Sequence, residues 1–387
     1  MTSNLSHVNL GSVATFRAGY AFPKKDQGKS NGEIPFIKVS DFNIPGNEYH
    51  IIRANNYVDA DYVKKRKLKI FPAGTIVFAK IGIALLSDRI RVLTRPTLID
   101  NNLMGCVAKG VNEKYLSYIL ELIHLSRHAE GSALPFLKQS TIEQLPINIH
   151  SHEIQDKIAC FISNLELKIE CNNKIIEVLE NFSISLVNHA IGTSRIENSV
   201  HLSEYALLNP NRKLSKDHVA RYIGMSSLTS TSTPQNWEFK SYKGGVKFKN
   251  GDTLVARITP CLENNKGAFI NILEEGEIAF GSTEYITISS KGDLPNEFFY
   301  CLSKTKEFRD YAIKHLNGTS GRQRVSADDL AAFYLPSFSS KEKSLMQNSL
   351  PSFFAVIANL SRQNKLLTTM RDRFLPKLLS GEIELTN

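Results

Sequence analysis

One strand-like stretch occurs twice in this chain, and it constrains the fold more than any other feature. "FPAGTIVFAKIG" spans residues 71–82 and "FKNGDTLVARIT" spans 248–259. Phe71, Gly74, Ala79, Lys80 and Ile81 match Phe248, Gly251, Ala256, Arg257 and Ile258 at a constant offset of 177. Each copy reads as a glycine turn, a continuous apolar strand and then a cation. A repeat at this distance implies two similar domains built from one chain.

Two further pairs support the repeat. "IPFIKVSDF" (34–42) has a weaker counterpart in "ARYIGMSSL" (220–228). "GSALPFLKQSTIEQLPI" (131–147) corresponds to "GTSGRQRVSADDLAAFYLP" (318–336), each running from a glycine turn to a Leu-Pro. After each comes a long segment rich in helix formers, 152–190 and 341–380. In the first, Ile158, Phe161, Leu165, Lys168, Asn172, Ile175, Leu179, Phe182 and Leu186 alternate at spacings of 3 and 4. In the second, Leu350, Phe353, Ile357, Leu360, Asn364, Leu367, Arg371, Phe374 and Leu378 repeat that pattern at an offset of 192. Such a seam packs one helix along another, and Asn172 and Asn364 take equivalent polar positions within it. Packing of each seam on its own domain is the alternative. Pro351 interrupts the second pattern and is expected at a first helical turn or a kink.

The expected fold is therefore α+β, with boundaries at 1–149 (first domain), 150–192 (first helix), 193–337 (second domain) and 338–387 (second helix and tail). At 387 residues the chain exceeds one ordinary core. Its 42% apolar and 22% charged residues are those of a globular protein. The net charge of +9 favours a polyanionic partner. That charge is unevenly placed: residues 1–149 carry 19 Lys/Arg against 12 Asp/Glu, whereas 150–192 carry 3 against 6.

Several function classes find no support. The five cysteines are scattered without a C-x-x-C, as in a reduced cytoplasmic protein. "MTSNLSHVNL" lacks the features of a signal peptide, and no apolar run reaches the length of a membrane span. A cytoplasmic location is expected. There is no Walker loop, no adenosylmethionine loop and no metal spacing among the histidines. Asp217 with Glu238 and Lys240 matches a nuclease constellation only loosely, and a second E-x-K (Glu166, Lys168) lies within the first helix. The chain reads as non-catalytic, with no cofactor and no metal of its own.

The stretches "LPINIHSHEIQDKIACFISNLELKIECNNKIIEVLE" and "NKLLTTMRDRFLPKLLSGEIEL" resemble the regions that follow the target-recognition domains in specificity subunits of type I restriction–modification systems. "GDTLVARITPCLENNKGAF", "IAFGSTEYITI" and "GTSGRQRV" resemble one type of recognition domain in that family. The start "HSHEIQDKI" departs from the family pattern, since Glu153 and Gln155 are offset from the usual acidic and amide positions. The resemblance implies two β-rich α/β recognition domains held apart by two antiparallel helices with pseudo-twofold symmetry. It implies double-stranded DNA with a split, asymmetric target as partner, together with two modification subunits and, in the full complex, restriction subunits. Adenosylmethionine then belongs to the modification subunit, and ATP and Mg to the restriction subunit. A specificity chain of a type II-like methyltransferase–nuclease is the nearest alternative, and a coiled-coil scaffold without DNA is the other.

Candidate DNA contacts follow from the repeat. Arg257, Arg322 and Arg324, with Gln323, head the second domain, because Arg suits guanine and Gln suits adenine. Thr283 and Glu284 in "GSTEY" are weaker candidates, Glu284 as an acceptor from cytosine. In the first domain the repeat selects Lys38, Ser40, Lys80 and Lys138. The run "KKRKLK" (64–69) suits either phosphate or solvent.

Overall fold

The computed structural model describes residues 5–193, 199–228, 232–234, 236–318 and 322–385. The chain divides into two compact units, Met1–Cys171 with Asn364–Asn387, and Asn172–Gln363. The cuts fall inside the two long helices, α1 (His152–Thr193) and α2 (Ser340–Leu379).

In the first unit, β1 (Ala14–Ala18), β3 (Ile76–Ala79), β4 (Ile90–Leu93) and β6 (Leu103–Ala108) form one sheet in the order β1-β6-β3-β4, edged by His50–Ile51. A smaller sheet centres on β2 (Ile34–Ile37), which pairs antiparallel with Tyr57–Val58 and parallel with β5 (Leu98–Ile99). Gly74 opens β3 with a φ of +80°, a conformation that a Cβ would strain. The four residues of β3 are all buried, and they alternate between two cores. Ile76 and Phe78 face a core closed by the helix Glu113–Ile123, by Ile158 and Ile162 of α1, and by Leu375 and Leu378 of α2. Val77 and Ala79 face the other core, with Phe71, Leu93 and Leu103. Burial on both faces is why this strand reads as a continuous apolar run.

The second unit repeats the arrangement. β7 (Ala206–Leu208), β9 (Thr253–Ala256), β10 (Gly267–Phe269) and β12 (Tyr285–Ser290) are ordered β7-β12-β9-β10. β8 (Val219–Ile223) pairs antiparallel with Glu238–Ser241 and parallel with β11 (Ala279–Gly281). β9 lies at the same 177-residue offset from β3, and Gly251 repeats the φ of Gly74 at +88°. Val255 faces the core shared with α1 and α2, while Leu254 faces the second core with Phe248 and Tyr285.

Within each unit the two helices pack antiparallel. Phe161 meets Phe374 edge-on at 5.9 Å in the first unit. Phe182 meets Phe353 at 5.6 Å in the second, where the Asn172 amide donates to Gln363 at 3.5 Å. The partner's number falls as that of α1 rises. Two faces of α1 do different work. Ile158, Ile162, Ile169, Asn172, Ile176, Val187 and Ala190 are buried, and the apolar ones other than Ile169 close the domain cores. Of the seam positions, Phe161, Leu165, Leu179 and Leu186 are half-buried, while Lys168, Ile175 and Phe182 are exposed. On α2, Leu350, Ile357, Arg371 and Leu378 are buried and Phe353, Leu360, Asn364, Leu367 and Phe374 half-buried. Pro351 lies eleven residues inside α2, so it does not mark the first turn. It sits on the exposed face, where water can satisfy the carbonyl that loses its N–H partner.

Candidate nucleic-acid interface

Each unit ends its central strand in the same small platform. In the second unit, β9 runs into Arg257, whose N–H donates to the Glu284 carbonyl and whose carbonyl accepts from Val325 N at 3.0 Å. Thr259 N donates to the Gln323 carbonyl at 3.1 Å, and Asn317 and Arg324 exchange both backbone bonds at 2.9 Å. Asn317 and the segment Gln323–Val325 are thus pinned to each other and to the strand end. Thr319, Ser320 and Gly321 lie outside the described residues. In the first unit, Lys80 N donates to the Asn102 carbonyl, and its carbonyl accepts from Leu137 N at 2.8 Å. Gly82 N donates to the Pro135 carbonyl, and Glu130 and Phe136 exchange both backbone bonds at 2.9 Å. The backbone therefore equates Lys80 with Arg257, Phe136 with Arg324, and Leu134 with Arg322.

The charges on the second platform are coupled. Arg324 grips the Glu284 carboxylate through Nε at 2.8 Å and Nη2 at 2.6 Å, and its Nη1 donates to the Arg322 carbonyl at 3.2 Å. This fork holds the Glu284 carboxyl below the usual carboxylate range, with Arg257 adding to the effect. The Glu284 N–H is itself held by the Ser282 hydroxyl at 3.1 Å. Glu284 is therefore engaged with an arginine, whose fork uses part of the carboxylate's acceptor capacity. Thr283 is exposed beside it.

The sequence-derived cations of the first unit lie on different parts of the fold. Lys80 is half-buried at the end of β3. Lys138 pairs with Glu130 at 2.5 Å across the hairpin base and precedes the short helix Gln139–Glu143, the place that Ser326 occupies in the second unit. Lys38 follows β2, donates through Nζ to the Gln27 side chain at 2.8 Å, and leads to the exposed Ser40. Of the run 64–69, Arg66 pairs with Asp26 at 2.8 Å. Glu238 and Lys240 pair with each other at 2.5 Å on an exposed strand. Among the described residues, no group of three His, Cys, Asp or Glu side chains could hold a metal, and no helix is long and apolar enough to cross a membrane.

A second polar cluster in the first unit escaped the sequence reading. Arg371 of α2 donates through Nε to Glu166 of α1 at 2.9 Å, contacts Glu121, and covers the Tyr49 ring at 5.1 Å. The Tyr118 hydroxyl donates to Glu166 at 2.9 Å. Burial alone would lower the Arg371 pKa, but the two carboxylates more than offset it and keep the guanidinium charged. The signal was available: an arginine at an otherwise apolar seam position demands a buried carboxylate.

Residues 3–181 match the family described as type I restriction modification DNA specificity domain. Over 396 aligned residues the chain is 24% identical to the type I restriction enzyme MjaIX specificity subunit of Methanocaldococcus jannaschii, covering 91% of this chain and 87% of that protein. It is 31% identical over 131 residues to the EcoAI specificity subunit of Escherichia coli, covering 32% of this chain and 22% of that protein. Its fold resembles the crystal structure of a type I restriction–modification S subunit from M. genitalium, with a TM-score of 0.63, 13% identity, and coverage of 100% of this chain and 98% of that one. Residues 3–181 thus carry a type I restriction modification DNA specificity domain, and the chain over most of its length is similar to a type I restriction enzyme specificity subunit.

Proposed function

We propose that this chain recognises a split, asymmetric site in double-stranded DNA, each unit holding one half-site, with α1 and α2 setting the distance between them. One observation carries the reading: the same hydrogen-bonded platform at the strand end is built twice, with Lys80 on one copy and Arg257 on the other. Two similar platforms suit two duplex half-sites, and different side chains on them suit different bases. Lys38, Ser40, Lys80 and Lys138 in the first unit, and Arg257, Thr283, Glu284, Arg322, Gln323 and Arg324 in the second, are the proposed contacts. The chain docks two modification subunits, which bring adenosylmethionine, and joins restriction subunits that use ATP and Mg. From Ile158 to Leu186 is 29 residues, about 43 Å of helix. Half-sites one helical turn apart are separated by roughly 34–36 Å, so the pair is long enough to act as the spacer.

The test is methylation-aware sequencing of host DNA with and without this gene. A bipartite methylated motif should vanish on deletion and return on complementation. A methylome unchanged by deletion refutes the reading.

A further inference from the structure

Aligned by their backbone hydrogen bonds, the two platforms carry opposite chemistry. The second presents Arg322 and Arg324 on the segment beside its strand end. At the same places the first carries Leu134 and Phe136, and Ile83 stands where Pro260 does in the second. Ile83 is 86% exposed, Leu134 56% and Leu86 55%. Three large aliphatic side chains on adjoining loops form an apolar tip, and a Cβ built at Gly82 would lie 3.8 Å from the Leu134 side chain. The tip closes no core. Its neighbours are Lys80 and the Lys138–Glu130 pair, within residues whose net charge is +7 (19 Lys/Arg against 12 Asp/Glu over 1–149).

We infer that this tip is the base-reading element of the first unit, and that it selects A·T pairs by contact with thymine C5-methyl groups in the major groove. The inference rests on the DNA-recognition reading above. An aliphatic side chain offers no donor or acceptor, so against guanine or cytosine it strips water from polar base edges and returns nothing. Every A·T pair carries one methyl in the major groove, whichever strand holds the thymine. On the second unit, Arg324 points the other way. Of its five N–H donors, two are engaged by Glu284 and one by the Arg322 carbonyl. One donor remains on each terminal nitrogen, the pair that matches guanine O6 and N7. Glu284 then acts as a positioning residue. The site should join an A·T-containing half to a half containing guanine.

The test uses the chain assembled with its modification subunits and a duplex carrying the motif found by methylation sequencing. Leu134→Ala and Arg324→Ala, compared by the half-site whose preference each relaxes, assign the halves to the units. Thymines in the first half are then replaced singly by uracil, which removes only the methyl. One or two of these replacements should weaken binding about fourfold each, the worth of one buried methyl, and Leu134→Ala should abolish that difference. The change is made in the DNA, so protein folding does not confound it. Equal binding of uracil and thymine duplexes, or a first half without an A·T pair, overturns the inference while the motif itself still supports DNA recognition. Loss of assembly by Leu134→Ala with DNA preference intact overturns it too, and makes the tip a protein contact. Absence of any motif sinks the functional reading and this inference together.

Discussion

Glu166 of α1 and Arg371 of α2 form a buried ion pair at 2.9 Å, and it joins the two helices where they cover the core of the first unit. Arg371 is also held by Glu121 from the helix Glu113–Ile123, so three elements share one guanidinium. Removing it leaves two carboxylates facing each other, one of them fully buried. Arg371→Ala should destabilise the chain by about 3–5 kcal/mol. The double replacement Arg371→Met with Glu166→Leu should recover much of that loss, because a well-packed apolar pair needs no counter-charge. Chemical denaturation of the three proteins checks this. A single variant as stable as the parent would show that the pair contributes nothing to the fold.

On the second platform, Glu284→Gln keeps the shape and removes the charge that orients Arg324. Affinity for random duplex should hold or rise slightly, since a negative charge is lost. Preference for the specific half-site should fall about tenfold to a hundredfold, in the same direction as Arg324→Ala. Competition binding with specific and scrambled duplexes separates the effects. Equal losses on both would reassign Arg324 to phosphate contact.

Acid and base should act on Glu170. Its carboxyl meets His50 Nδ1 at 2.6 Å, with Lys114 beside the other ring nitrogen and Glu166 one turn away on α1. Burial pushes the Glu170 pKa up to about 7, against the pull of Lys114. An unfolded Glu titrates near about 4.3, so between that pH and about 7 the folded chain holds the extra proton. Stability from this group is therefore present at low pH and lost as pH rises through the folded value. Glu170→Gln mimics the protonated form. Its melting temperature should exceed that of the parent at pH 8 and match it near pH 5. A gap that stays constant across this range would exclude the titration.

The helix pair gives a test of length. A four-residue insertion after the exposed Lys168 adds about 6 Å and about 40° of rotation. It also imposes a stutter that the facing helix must absorb. The bases of each half-site should persist, and the number of unspecified pairs between them should change by one or two, unless assembly is lost. Methylome sequencing of cells carrying the variant reads the outcome directly. An unchanged spacer at full activity would show that α1 and α2 do not set it.

The local pattern by itself determined the repeated strand, the glycine turns before it and the two long helices. Each of these follows from near neighbours. Gly74 and Gly251 turn the chain, and runs buried on both faces read as continuous apolar strands. The family resemblance was legible for the same reason, in contiguous stretches such as "LPKLLSGEI". What only the tertiary structure decided were relations between residues far apart in number. Aligning the glycine loops by sequence singled out Lys138, whereas the hydrogen bonds equate Phe136 with Arg324 and make Lys138 the counterpart of Ser326. A heptad pattern marked the helix seam, yet α1 also buries Ile162 and Ile176 beside it, because these side chains close the domain cores and leave water there. The engagement of Glu284 by Arg324, and of Glu166 and Glu121 by Arg371, crosses 40 to 250 positions. No local periodicity carries such a pairing; the fold makes it when it brings two opposite charges within reach.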